Sequence, residues 1–78
     1  MATDDIATRA LAALSGKALV DTASGMLAAT AGLTSHEAAR YLRAYAARRG
    51  RGPAEIAEQL VRRTVRPEAV LADAAERR

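Results

Sequence analysis

Apolar positions recur along this chain with helical spacing and nowhere with the persistent alternation of a strand. Across residues 5–30, Ile6, Ala13, Val20 and Leu27 return every seven positions, and Leu14, Leu19, Ala23 and Met26 widen the stripe. That period predicts an amphipathic helix. Thr3 is placed to cap it, with Asp4 and Asp5 in the first turn, where the positive end of the helix dipole favours acids. Uninterrupted, such a helix is ~39 Å long, more than the remaining elements of so short a chain can cover. Its first half is therefore expected to pair with the same helix of a second chain, a coiled-coil homodimer seated on Ile6, Ala13, Leu14 and Val20. A break at Ser15-Gly16, giving two shorter helices, is the alternative, because Gly inside a helix costs about 1 kcal/mol relative to Ala. Gly32 is a natural residue to end the segment.

A second helix starts with a clear signal. Thr34-Ser35-His36-Glu37 has the form of a capping box, with Thr34 as N-cap and Glu37 three residues on. Its core-facing set is Ala38, Leu42, Tyr45 and Ala46, with Tyr41 at the edge and His36, Arg40 and Arg43 turned the other way. The helix is expected to stop near Arg49-Gly50. Arg48-Arg49-Gly50-Arg51-Gly52 reads as a basic loop, and Pro53 suits the first position of a third helix. Ile56, Ala57, Leu60 and Val61 form that helix's apolar face. Pro67 then opens a short amphipathic segment in which Val70, Leu71 and Ala74 can dock. The expected architecture is all-α: a three-helix bundle with a long first helix over residues 1–66, and a short C-terminal helical extension over 67–78. No internal repeat is visible.

Composition narrows the chemistry. The chain has 78 residues, no cysteine, one histidine (His36), and Tyr41 and Tyr45 as its only aromatics. Disulfides and thiolate metal sites are excluded, and a histidine-based metal site lacks its usual ligands. No cofactor or metal is expected. Asp4, Asp5 and Asp21 have no metal-ligand partners, and the Ser and Thr hydroxyls lack both a base and a group to orient it. Gly50-Arg51-Gly52 is not followed by the Lys-Ser or Lys-Thr of a phosphate-cradling loop. An enzyme is therefore not expected. No apolar stretch approaches the ~20 residues of a membrane span, and the acidic opening residues do not resemble a signal peptide. A cytoplasmic protein is expected.

Charge is more informative than its total of +3. Arg40, Arg43, Arg48, Arg49, Arg51, Arg62, Arg63 and Arg66 stand against only Glu55 and Glu58, a balance of +6 that leaves −3 for the flanks. Arg40 and Arg43 on a helix face, followed by Arg48, Arg49 and Arg51 in the adjoining loop, have the arrangement of a phosphate-tracking surface. A solvated helix face ending in a basic turn that complements the helix dipole accounts for the same residues.

One further pattern bears on that choice. Val20-Asp21-Thr22-Ala23-Ser24-Gly25-Met26-Leu27, then Gly32-Leu33-Thr34-Ser35-His36-Glu37-Ala38, then Tyr41-Leu42-Arg43, and finally Ile56-Ala57-Glu58-Gln59-Leu60-Val61 resemble, in order and spacing, the ANTAR domain family. The likeness covers roughly residues 5–63. The Ala-Ser-Gly-Met version is similar to a variant common among actinobacterial members, usually attached to a GAF-like sensor. The resemblance implies a three-helix RNA-binding module of bacterial transcription antiterminators. Such modules dimerise through the first helix and bind paired hairpins in nascent transcripts, so that a terminator does not form. It implies that Ser24 and Gly25 line the RNA surface, that Arg40 and Arg43 meet the hairpin loop or its phosphates, and that Arg48, Arg49 and Arg51 hold the stem. Many members carry Lys or Arg where this chain has Ser24, which shifts the basic surface onto the other arginines. A sensor of GAF-like or receiver type is the expected partner, and the chain is either free-standing or part of a longer protein. Two other classes stay open on the residues alone. One is a DNA-binding helix-turn-helix module, although Glu55 and Glu58 sit where a recognition helix needs donors. The other is a protein-interaction module.

Overall fold

A computed structural model describes residues 15–76 of the chain. Among these lie four helices: α1 (Gly16–Ala31), α2 (Ser35–Arg48), α3 (Pro53–Val61) and α4 (Pro67–Glu76). The most extensive contacts are those of α1 with α2 and α3, and α4 lies chiefly along α2.

The start of α1 corrects one expectation. A helix running unbroken across residues 5–30 is not formed, because Ser15 is an N-cap with extended backbone (φ −71°, ψ 163°). The Ala18 N–H donates to Ser15 Oγ at 3.1 Å, satisfying one of the orphan donors of a helix start. Gly16 thereby becomes the first residue of the helix, where its interior penalty does not arise. A Cβ added at Gly16 would stand 3.4 Å from the Ala54 Cβ, so the small residue also lets α1 approach the start of α3 closely. Thr3, Asp4, Asp5, Ile6, Ala13 and Leu14 lie outside the described residues. Val20 does not: it is 7 % exposed and packs into the core of its own chain. The expected seam at Val20 is thus corrected, since a side chain buried in the core of its own chain is not free to meet a second copy.

The other boundaries follow the local signals. Gly32 ends α1 with φ +67°, a left-handed conformation that glycine adopts without a Cβ clash. Its N–H and that of Leu33 both return to the Ala28 carbonyl, and Leu33 packs half-buried against the core, the hydrophobic contact that usually accompanies this cap. At α2 the capping box is complete. Glu37 N–H donates to Thr34 Oγ1 at 3.0 Å, and Thr34 N–H donates to Glu37 Oε1 at 3.0 Å. Those bonds hold the Glu37 carboxyl below the ordinary glutamate range, the backbone N–H of Thr34 first among the causes. Because the folded value is depressed, this contribution is present above the unfolded pKa of about 4.3 and is lost as pH falls through the folded value. Thr34→Ala is expected to lower stability by about 1 kcal/mol at neutral pH; that variant keeps the Thr34 N–H bond to the carboxylate, so the pH-dependent part is read with Glu37→Gln, whose deficit against wild type in thermal melts at pH 7 should shrink at pH 3.

Ala38, Leu42, Tyr45 and Ala46, the face expected of α2, are all buried. They meet Leu19, Ala23 and Leu27 of α1 and Ile56, Ala57 and Leu60 of α3 in one core. Pro53 opens α3. The α3 exit is unusual, since Arg63 takes φ +64°, a left-handed conformation at a non-glycine residue. The turn is held by Thr64 N–H donating to the Gln59 carbonyl at 2.9 Å. It redirects the chain into α4, whose Val70 is fully buried in the same core. Through Val70, with Leu71 packed beside it, α4 docks on the core of the bundle.

Candidate nucleic-acid interface

The basic positions sort by what each guanidinium already faces. On α2, His36, Arg40 and Arg43 are exposed. Steps of four and three residues put them on one helix face over about 10 Å of axis. Neither Arg40 nor Arg43 takes part in an ion pair among the described residues. The packing on the opposite face, through Leu42, Tyr45 and Ala46, holds this row rigidly outward. These are two unpaired cations on a firm support, the arrangement that phosphate contacts require.

The arginines that follow are not free in the same way. Arg51 pairs with Glu55 one turn into α3. Arg48 Nε lies 3.5 Å from Asp73 Oδ1, and Arg49 Nη1 lies 3.8 Å from the same oxygen. Arg49 is also stacked over the Tyr45 ring, 3.7 Å from its centroid, a cation–π contact. Tyr45 is buried and Tyr41 half-buried at the edge of the core, so neither ring stands out as a stacking platform. Asp73 was not foreseen as a partner. Its signal was its place three residues after Val70, on the buried face of an amphipathic helix, where an acid needs a cation to face.

Two residues of the Ala-Ser-Gly motif diverge. Gly25 is exposed on α1, with open space where a Cβ would stand. Ser24 points the other way: it is 3 % exposed, and its Oγ has no hydrogen-bond partner. A side chain in that position does not line a surface, and this corrects the expectation for Ser24. Ser24→Ala is expected to leave nucleic-acid affinity unchanged and to leave stability unchanged or raise it by up to about 1 kcal/mol, since an unsatisfied buried hydroxyl is removed. Parallel melting and binding curves check both halves.

Arg63 and Arg66 complete the basic stretch. They line a shallow cavity with Thr30, Pro67 and Glu68 at the end of the bundle where α1 finishes and α4 begins. Among the described residues there is no group of three or more His, Asp or Glu side chains able to hold a metal, and no helix is long and apolar enough to cross a membrane.

Comparison with known families identifies the bundle. The ANTAR domain matches residues 8–61, more than half of the chain. The chain belongs to the ANTAR domain family. ANTAR domains are RNA-binding antitermination modules, regulatory and not catalytic. The match takes in α1, α2 and α3 with the outward row of Arg40 and Arg43, and it ends before the turn at Arg63 and before α4. No curated protein and no solved structure matches the chain.

Proposed function

We propose that this ANTAR domain is a transcription antitermination regulator that binds paired hairpins in nascent mRNA leaders and keeps a terminator from forming. The observation that carries the reading is the pair of unpaired, outward arginines, Arg40 and Arg43, on a helix inside the ANTAR match. Their guanidiniums contact loop bases or phosphates of the hairpin, and Gly25 leaves room on α1 for close approach of the RNA. Arg48, Arg49 and Arg51 hold the stem once their acidic partners give way. The reaction consists only of binding and of competition between two RNA folds.

Two chains act together in this reading, one for each hairpin. Because Val20 is used in the core, the homodimer contact rests on Ile6, Ala13 and Leu14. A GAF-like or receiver-type sensor supplies the signal, the setting is the bacterial cytoplasm, and the Ala-Ser-Gly-Met motif fits an actinobacterial-type member. The test is a titration of the chain against three labelled probes at low and moderate salt: a paired-hairpin leader RNA, one hairpin alone, and a DNA duplex of equal length. The paired hairpins are expected to bind at least tenfold more tightly than either other probe. Tighter binding to duplex DNA would replace this reading with a DNA-binding one, and absence of binding to all three at low salt would leave a protein-interaction module.

A further inference from the structure

The helix α4 lies beyond the ANTAR match, yet it reaches back to the cations at the end of α2. Val70, fully buried, anchors it. Almost one turn further on, Asp73 is 8 % exposed and faces both Arg48 and Arg49. The fit is poor for a buried carboxylate. Its Oδ1 sits 3.5 and 3.8 Å from the two guanidiniums, longer than the roughly 2.7–2.9 Å of a charge-assisted hydrogen bond. Its Oδ2 is buried with no hydrogen-bond partner at all. A desolvated ion pair with such geometry gains little over its separated state. The two arginine side chains, by contrast, remain 42 % and 45 % exposed, so their outer edges are open to an incoming anion. A phosphate arriving from solvent can meet either guanidinium in bidentate geometry, which Asp73 does not achieve.

We propose that α4 is a built-in competitor for RNA: Asp73 occupies Arg48 and Arg49 in the RNA-free chain, and RNA phosphate displaces it. The proposal rests on the RNA-binding reading above. Arg40 and Arg43 make the first contact because nothing holds them, and Arg48 and Arg49 join only as the Asp73 end of α4 yields. Val70 keeps the helix on the bundle, so the exchange is confined to residues 72–76. The device lowers affinity for isolated phosphates and favours RNA that reaches both groups of arginines at once. Anything that lifts the end of α4 would then raise affinity without touching the RNA surface.

The experiment compares wild type, Asp73→Asn and Glu76→Gln by anisotropy titration with paired-hairpin RNA between 50 and 300 mM salt (on the order of the range over which counterion release is read). Glu76→Gln makes the same charge change at an exposed position of the same helix. Asp73→Asn is expected to bind about fivefold to tenfold more tightly than wild type with a similar log–log salt slope, because both complexes make the same phosphate contacts; Glu76→Gln should differ from wild type by less than about twofold. Hydrogen exchange on the wild-type chain supplies a second readout that does not need the variant to fold: RNA should lower the protection of amides 72–76. Equal affinities for Asp73→Asn and Glu76→Gln, or protection that rises on RNA binding, would overturn the competitor while leaving the RNA reading in place. Absence of RNA binding by wild type and Asp73→Asn alike, at low salt, would overturn both.

Discussion

The double substitution Arg40→Ala/Arg43→Ala is expected to weaken binding to paired-hairpin RNA by about a hundredfold at moderate salt. Hydrogen bonds to charged groups contribute about 1.5–3 kcal/mol each, and each 1.4 kcal/mol is about tenfold in affinity. Both side chains are exposed, and neither has an acidic partner to release, so the whole of their interaction with phosphate is available to RNA. Removing two phosphate contacts should also flatten the plot of log affinity against log salt, by about 0.7 for each single-stranded contact and 0.9 for each in a duplex. Stability should scarcely change, because both residues are exposed. Arg51→Ala provides the contrast. Its guanidinium is already paired with Glu55, so RNA gains only the difference between two partners, and the expected loss is about threefold or less. Affinity and salt slope unchanged in the double variant would remove these two residues from the interface.

A second large effect is expected in the core. Leu42→Ala should destabilise the chain by about 2–5 kcal/mol, the range for truncating a fully buried leucine. Leu42 is 0 % exposed, and it sits where α2 meets the other helices. A chain of 78 residues has a total stability of about 4–12 kcal/mol, so the variant loses a large share of it. At about 4–8 °C per kcal/mol for a domain of this size, the melting temperature should fall by about 8 °C or more. Leu71→Ala, at a half-buried position of α4, should fall by less than half as much. Circular dichroism melts at one protein concentration check the pair, and a Leu42→Ala shift no larger than that of Leu71→Ala would contradict the packing described.

These two predictions draw on different kinds of information. The core face of α2 was readable because Ala38, Leu42, Tyr45 and Ala46 share one side of any helix that begins at Thr34, and Thr34 and Glu37 set that beginning by bonds within four residues of chain. The stop at Gly32 and the start at Pro53 are equally local. At Ser15-Gly16 two local signals oppose each other, the heptad stripe favouring continuation and the Ser cap favouring a new start. They differ by about 1 kcal/mol, too little for sequence pattern to decide, and the close approach of Gly16 to Ala54 accompanies the new start.

By itself, then, the sequence determined an all-α chain, the bounds of α2, α3 and α4 to within a few residues, the core faces of α2 and α3, and the ordered motifs of the ANTAR family. All of these follow from spacing along the chain. Tertiary structure decided what each face meets. It turned Val20 from an expected dimer seam into core, and it buried Ser24 where a surface residue was expected. It also divided a uniform run of arginines into Arg40 and Arg43, which face solvent, and Arg48 and Arg49, which face a carboxylate 24 or more residues away. Periodicity names the face of a helix but not its neighbour. The charge of an arginine is visible in the sequence, whereas its availability depends on a partner that only the folded chain brings near.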